Sequence, residues 1–166
     1  MTIDAGSYPG DRHAEAPGRV RQTVLPASTR ELSTLAHIDY QDAFLVETGL
    51  PPVRTAEQWA REVLEGAPLS TRRALSRGWS GLGLRLGPAG SDRHVLGWEI
   101  RRSDPDVVLL GARGRLGLSG ELIFRRSAHA LFYATVVQLE NRVARGLWAA
   151  IESRHRRVVQ GLLEHA

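Results

Sequence analysis

The amphipathic pattern of residues 140–166 is the feature that most constrains the fold of this chain. Apolar and charged side chains recur there with the period of an α-helix, which predicts a helix of about 20 residues and about 30 Å. Asn141 is a suitable N-cap for it. A long helix with one apolar face requires a surface to cover, and the strands predicted before it offer that surface. The apolar face holds Leu147, Trp148, Ile151, Val158, Val159 and Leu162, and the other side holds Arg145, Glu152, Arg156 and Gln160.

Four segments before that helix have the composition of β-strands: residues 94–103, 106–112, 115–124 and 129–139. Their connections are short, which favours an antiparallel meander. The apolar alternation predicts two inward-facing sets of side chains. These sets are Leu96, Trp98 and Ile100 in one strand, and Leu116, Leu118, Leu122 and Phe124 in another.

Glycines at positions 111, 114, 117 and 120 fall among these strands. A spacing of three cannot serve one face of a strand, so we interpret them as bulges and bends. Glycine lets a sheet curl strongly. We therefore expect a curved sheet with a concave side that the last helix fills incompletely.

The first half of the chain predicts one strand and several helices. Residues 38–46 are typical of a first strand or extended segment. Ser28 and Glu31 have capping-box spacing and predict a short helix ahead of it. Thr55 and Gln58 have the same spacing, and they predict a helix that ends at Gly66. A further helix is predicted from Ser70. Inward side chains are expected at Trp59, Val63 and Leu64 in the first of these two helices and at Leu75 and Trp79 in the second.

The chain of 166 residues is long enough for one domain with a sizeable core. Residues 1–20 are rich in glycine and proline and hold few large apolar residues. We therefore expect a flexible N-terminal arm over residues 1–20 and a single domain over residues 21–166. No apolar run reaches the about 20 residues of a membrane span. The N-terminus lacks the order of a signal peptide, so we expect a cytoplasmic protein.

Composition excludes several classes of chemistry. The chain has no cysteine and no lysine, and all 22 of its basic residues are arginine. Disulfides, thiol nucleophiles, a Walker-type phosphate lysine and a Schiff-base lysine are therefore excluded. The net charge is only +4 despite a pI near 10.5. The arginine pairs are scattered and are not interleaved with aromatic residues, so we expect no nucleic-acid partner.

No motif in the sequence meets the pattern of a known catalytic or cofactor site. The six histidines show no H-x-x-x-H or H-E-x-x-H pairing, so no metal is expected. The segments 78–81 and 117–120 lack the second glycine of a G-x-S-x-G elbow. Residues 81–87 do not have the spacing of a dinucleotide fingerprint, and no cofactor is expected. Glu99 and Glu121 are acid–base candidates, but alternation predicts that both face solvent.

An apolar site with a few polar tips is the default for a curved sheet closed by a helix. Aromatic residues of the strands and helices would line it, and either Phe132 or Tyr133, which alternate, would face inward. Tyr133 and the indole groups could supply the polar tips. His155 lies on the apolar side of the last helix, where a packing role is the more common one. The predicted ligand-binding residues are Trp79, Trp98, Phe124, Phe132, Tyr133, Trp148, Ile151 and His155.

The order of elements resembles the helix-grip superfamily, which includes START-like lipid carriers and polyketide cyclases (SRPBCC proteins). It is most similar to a bacterial, largely actinobacterial, family of that superfamily. The resemblance implies an α+β helix-grip fold. In that fold a curved antiparallel sheet is wrapped around a long C-terminal helix, with two short helices after the first strand. The segments that support it are LPAS (25–28), DYQDAF (39–44), EGAP (65–68), LGWEI (96–100), PDVVLLG (105–111) and residues 135–159.

Three functions remain open from the sequence. The leading one is binding of a small hydrophobic, lipid- or polyketide-like ligand between the sheet and the C-terminal helix, without catalysis. The second is a cyclase- or dehydratase-type enzyme that acts on an enolisable substrate. The third is a protein–protein interaction module whose interior is only a core. The oligomeric state is left open, a homodimer included.

Overall fold

A curved antiparallel sheet of seven strands forms the centre of the α+β fold. The computed structural model describes residues 19–49 and 53–166. The strands are β1 (Arg19–Gln22), β2 (Tyr40–Glu47), β3 (His94–Val95), β4 (Trp98–Asp104), β5 (Val107–Arg113), β6 (Leu118–Arg126) and β7 (Ala130–Leu139), and the helices are α1 (Ala27–Arg30), α2 (Ala56–Glu65), α3 (Leu69–Gly81) and α4 (Arg142–Glu164).

The strands follow the order β1-β2-β7-β6-β5-β4-β3 across the sheet. The strands β3 to β7 form the predicted antiparallel meander, and β2 pairs with the last of them. The edge strand β1 was not predicted. Its residues Arg19 and Val20, which pair with Glu47 and Val46, belong to the segment expected to be a flexible arm. The rest of that segment lies outside the described residues.

The C-terminal helix α4 has 23 residues, and Asn141 is its N-cap, as predicted. The Asn141 side chain accepts a hydrogen bond from the Ala144 backbone N–H at 2.8 Å, which satisfies one of the free N–H groups at the helix start. Trp148 and Val159 are buried against the sheet, as predicted. Val158 is an exception, because it lies at the edge of the apolar face and is 36% exposed.

Helix α2 covers the same face of the sheet beside α4. Its capping box is present as predicted, with Gln58 and Thr55 exchanging hydrogen bonds. Trp59 packs edge-on against Phe124 with ring centroids 5.3 Å apart. The inner face, defined here as the one that packs against α2 and α4, is therefore covered by two helices. We expected the last helix alone to cover the concave side and to fill it incompletely, and this was wrong because α2 covers the same face.

The strand predicted over residues 94–103 is interrupted by a tight hairpin. Leu96 and Gly97 both have positive φ, 45° and 89°, and Val95 pairs with Trp98 across them. Two positive φ angles are typical of two-residue hairpin turns. Gly97 adopts its positive φ without the steric cost that a side chain would add. Leu96 therefore sits in a turn instead of sharing a strand face with Trp98.

Two further details differ from the sequence prediction. The first short helix begins at Ala27, directly after Pro26, and Glu31 is its C-cap instead of the third residue of a capping box. Pro26 is the N-cap of this helix, and its ψ of 144° is extended, so the helical conformation starts one residue later. Leu116 precedes β6 and is 42% exposed, so it does not share the inner face of that strand.

The glycines of β5 and β6 make room for large side chains. A Cβ at Gly120 would come within 3.3 Å of the Trp98 ring, and a Cβ at Gly111 would collide with the Arg101 guanidinium. Trp98 and Arg101 both lie on β4, which is the neighbour of β5 and is separated from β6 by β5. These two glycines therefore allow close approach of neighbouring side chains, a role that the interpretation as bends did not include.

The outer face of the sheet is covered by the segment of residues 25–38. A second, smaller apolar cluster lies there. Its buried members are Leu25, Ala43, Leu109, Ile123, Ala134 and Val136, with Leu32, Leu35, Ile38 and Phe132 packed against them.

Glu121 anchors this covering segment to the sheet. Its side chain is fully buried, so the prediction that it faces solvent was wrong, although it does lie on the outer face. Arg101 Nη1 lies 2.8 Å from Glu121 Oε1, and the Ser33 hydroxyl donates to Oε2 at 2.6 Å. The Thr34 backbone N–H and hydroxyl also donate to the carboxylate. The alternation of β6 therefore predicted the correct face for Glu121. The side chain is buried because residues 33–34 cover that face.

We expect Glu121→Ala to lower the free energy of unfolding by about 3–5 kcal/mol, because it leaves Arg101 and two hydroxyl groups without their shared acceptor. Glu99→Ala is the matched control. Glu99 is 64% exposed, lies 3.9 Å from the same arginine, and should cost less than about 1 kcal/mol. Urea unfolding measures both. A Glu121→Ala cost as small as that of the control would show that the carboxylate does not hold the segment.

Candidate functional site

Five polar side chains meet on the inner face of the sheet beneath α4. Tyr40 and Asp42 come from β2, Tyr133 and Thr135 from β7, and His155 from α4. Side chains two residues apart on a strand share a face, which places the members of each strand pair together. Asp42 and Thr135 are directly opposite in the register of β2 and β7. We call these five residues the polar cluster.

The polar cluster is joined by a continuous set of hydrogen bonds. Tyr40 Oη donates to Asp42 Oδ2 at 2.8 Å. His155 Nε2 lies 3.1 Å from the same Asp42 oxygen and 3.2 Å from Thr135 Oγ1. Thr135 Oγ1 in turn lies 2.8 Å from Tyr133 Oη. Because a carboxylate only accepts hydrogen bonds, Nε2 of His155 carries a hydrogen.

Both tyrosines of the polar cluster remain neutral phenols. Burial raises the pKa of Tyr133 above its ordinary value, and the charge of Asp42 raises it further. The pKa of Tyr40 is also raised, by burial and then by the charge of Asp42. A phenol that keeps its proton can donate a hydrogen bond. The cluster therefore combines one carboxylate, one imidazole, two neutral phenols and the hydroxyl group of Thr135.

Two atoms at the polar cluster lack partners. The side chain of Asp42 is only 1% exposed, and its Oδ1 has no hydrogen-bond partner among the described residues. The indole Nε1 of Trp148 is likewise buried without a partner in that part of the chain. The Trp148 ring lies 4.8 Å from the ring of Tyr40 and 5.1 Å from that of His155, between centroids. Trp148 and Asp42 therefore contact the same two residues.

A small cavity adjoins the polar cluster. Its volume is about 30 Å³, which is sufficient to hold a water molecule. The expected large gap between sheet and helix is not present there, because α2 fills the space that α4 leaves. The cavity is lined by Val63, Leu64, Leu75, Trp79, Leu122, Tyr133, His155, Val158, Val159, Leu162 and Leu163.

A larger open groove begins beside this cavity. It has a volume of about 550 Å³ and lies between the α2–α3 connection and the end of α4. Val63, Val158 and Leu162 line both the groove and the cavity, so the two are adjacent. The remaining groove residues are Glu62, Gly66, Ala67, Pro68, Thr71, Arg157, Gly161, His165 and Ala166.

The structure brings together only part of the predicted ligand-binding set. Tyr133, His155 and Trp79 line the cavity, while Trp148 lies against His155. Phe132 lies on the outer face, so Tyr133 is the inward member of that alternating pair. The others, Trp98, Phe124 and Ile151, belong to or pack against the inner core without lining the cavity or the groove.

Sequence reasoning missed Tyr40, Asp42 and Thr135. Their signal was present as i, i+2 pairs of polar residues in apolar strands, Tyr40 with Asp42 and Tyr133 with Thr135. Asp42 entered the sequence analysis only as part of the predicted first strand and of the segment DYQDAF (39–44). The pairing of β2 with β7, which brings the two pairs together, could not be derived from local pattern.

Within the described residues, no group of three or more histidine, aspartate or glutamate side chains is arranged to hold a metal ion. The polar cluster offers one carboxylate and one imidazole, and the imidazole nitrogen facing the carboxylate carries a hydrogen. In the same part of the chain, no helix is long and apolar enough to cross a membrane.

The chain was compared with family models, with curated proteins and with solved structures, and no significant match was found in any of the three.

We expect Trp148→Ala to cost about 3–5 kcal/mol of stability, as for other truncations of buried aromatic side chains. Trp148 is 5% exposed and packs on Tyr40 and His155. Val143→Ala, on an exposed position of the same helix, should cost less than about 0.5 kcal/mol. Thermal or urea unfolding distinguishes them. A cost under about 1 kcal/mol for Trp148→Ala would contradict the packing described.

Proposed function

We propose that this protein is a helix-grip protein that binds a small, largely apolar molecule in the groove between α2–α3 and α4. The observation that supports it is the continuity of a partly apolar groove, whose rim also holds Glu62 and Arg157, with a cavity that adjoins the buried polar cluster. Ligand sites of small molecules combine apolar walls with a few placed polar groups. Here Val63, Val158 and Leu162 form part of the wall, and His155 and Tyr133 supply polar groups.

The volume of the groove supports it as the main ligand site. Small-molecule pockets have volumes of about 300–1,000 Å³, and the groove of about 550 Å³ lies in this range. The cavity of about 30 Å³ is far smaller than this range. A ligand would therefore place its apolar body in the groove and a small polar group in the cavity.

Two glycines of α4 allow a matched test of this site. Gly161 lines the groove and Gly146 does not, and a Cβ at either position would meet no atom within 4 Å. Gly161→Phe should reduce binding of an anilinonaphthalene-sulfonate probe at least about tenfold, because the ring occupies the groove. Gly146→Phe should leave the affinity unchanged within about twofold. Probe fluorescence measures both affinities.

The two variants also provide the control for folding, since replacing glycine in a helix does not lower helix propensity. Both should keep the melting temperature of the wild type or exceed it. If the wild type binds no apolar probe, or if both variants bind it equally, the groove is not a ligand site. The filled interior would then favour the interaction-module function.

The Asp42–His155 pair supports a second candidate, an enzyme that abstracts a proton next to a carbonyl. In the ring form that carries its hydrogen on Nε2, which faces Asp42, Nδ1 is the basic nitrogen. In this reaction Nδ1 takes the α-proton of a ketone, and the C–H electrons form an enolate. The Tyr133 O–H donates to the enolate oxygen, and return of the proton restores the ketone.

Deuterium exchange tests this second candidate without knowledge of the substrate. Wild-type protein in heavy water should accelerate exchange of the α-hydrogens of methyl octyl ketone about a hundredfold over buffer, the scale of a positioned base. His155→Gln should abolish this acceleration. His129→Gln, an exposed histidine outside the site, should keep it. Nuclear magnetic resonance follows the exchange, and equal rates in protein and buffer would exclude this chemistry for the ketone.

A further inference from the structure

We propose that a basic surface at the start of α4 docks on an anionic phospholipid membrane. This surface, which we call the basic patch, combines four exposed arginines with two exposed apolar side chains. It lies outside the groove and the cavity, so the proposal does not depend on the proposed ligand-binding function. The members of the basic patch are Arg85, Arg113, Arg115, Leu116, Arg142 and Val143.

Backbone hydrogen bonds bring three of these arginines together from two distant segments. The N–H of Arg85, which follows α3, donates to the Arg113 carbonyl at the end of β5, at 2.9 Å. The N–H of Arg115 donates to the Gly83 carbonyl, also at 2.9 Å. The arginines that are scattered in the sequence are therefore neighbours at this end of the sheet.

The three side chains share the outer face of the sheet end. Leu84 forms an isolated antiparallel bridge with Gly114, and the Leu84 side chain is buried in the inner core. Successive side chains of an extended strand point to opposite faces. The residues on either side of the bridged pair therefore point away from the core, and all three of these arginines are exposed.

The first turn of α4 completes the basic patch. The Asn141 side-chain N–H donates to the Leu116 carbonyl at 3.2 Å, which holds the residue after Arg115 against the helix start. Arg142 and Val143 follow directly and are exposed. Leu116 is 42% exposed and Val143 is 60% exposed. The two aliphatic side chains therefore lie in water beside the arginines.

The charge of the basic patch is not neutralised by the protein. Among the described residues, none of its four arginines forms an ion pair or a side-chain hydrogen bond. The adjoining segments 66–91, 107–120 and 141–151 contain no acidic residue. Glu140 borders the patch, but its carboxylate accepts a hydrogen bond from Gln138 Nε2 at 3.0 Å and pairs with no arginine in the described part of the chain.

An anionic phospholipid surface fits this combination of groups. Arginine binds phosphate through several N–H donors, and each basic residue near an anionic membrane strengthens attachment. Aliphatic side chains enter the boundary between head groups and acyl chains. Single-stranded nucleic acids instead bind on stacked aromatic side chains, and the basic patch has none. The charge would also suit an acidic peptide, so the test includes one.

Vesicle flotation of the full chain at increasing lipid concentration tests the proposal. The protein should bind vesicles of phosphatidylcholine with about one third phosphatidylserine at least about tenfold more tightly than vesicles of phosphatidylcholine alone. Sodium chloride at about 1 M should remove the difference, because it screens the charges. The combined variant Arg85→Gln, Arg113→Gln and Arg115→Gln should bind about a hundredfold more weakly, since each arginine contributes about fivefold.

The matched control removes the same charge elsewhere on the surface. Arg30, Arg73 and Arg154 are exposed, lie outside the basic patch and have no ion pair within the described residues. Replacing all three by glutamine should weaken binding less than about threefold, because only the long-range field of the net charge changes. A separate variant, Leu116→Ala with Val143→Ala, should weaken binding severalfold and leave its salt dependence unchanged, because only apolar insertion is lost.

The outcomes decide between a lipid surface and other partners. Equal binding to both kinds of vesicle, or an equal loss in the two triple variants, overturns the proposal. Binding to polyglutamate or polyuridylate through the same three arginines, without binding to vesicles, also overturns it and assigns the basic patch to a protein or a nucleic acid. Melting temperatures show that each variant is folded. If the triple variant unfolds, Arg85→Gln and Arg115→Gln alone should each show the fivefold loss, and unchanged binding in both contradicts the proposal.

Discussion

The antiparallel pairing of β2 with β7 is the contact on which the rest of the site depends. It joins the start of the domain to its last strand, from Tyr40 opposite Val137 to Glu47 opposite Ala130. This register places Asp42 opposite Thr135 on the inner face. A shift of one residue would turn every side chain of β2 to the other face, and the carboxylate would then meet the outer apolar cluster. The polar cluster is therefore a product of strand register and not of a local motif.

Burial of a polar cluster in an apolar core has a cost that pairing must offset. Most of the polar atoms beneath α4 are paired, because His155 reaches back from the helix to both strands. His155 and Trp148 lie seven residues apart, which is about two helical turns, so both project toward β2. The same helix that closes the core thus brings the imidazole to the carboxylate.

The sequence predicted elements whose signals are local. The Asn141 cap, the Thr55 capping box and the last three strands of the meander are confirmed, since each depends on residues within a few positions of one another. It did not predict the burial of Glu121 or the edge strand β1, because both depend on segments far away in the chain. Glu121 is buried by residues 33–34, and the prediction of a solvent-facing side chain assumed a bare outer face.

The candidate site was predicted in part for the same reason. Helix periodicity placed Trp148 and His155 on the inner face, whereas strand alternation left open whether Phe132 or Tyr133 faces inward. Periodicity does not tell which strand lies next to which, so Asp42 was not connected to His155. The volume beneath the helix was overestimated because the helical pattern near Trp59 gave no information on where α2 would pack.

The uneven burial of the helices has a consequence for motion. α2 and α4 each bury several side chains, whereas no residue of α3, which is described along its whole length, is buried. Local opening is least costly where little apolar surface is lost, so α3 is the helix that detaches first. Leu75 and Trp79 form part of the cavity wall from this helix. Amide exchange in α3 and access to the polar cluster should therefore depend on the same local opening. The free energy of that opening should be well below the free energy needed to unfold the sheet.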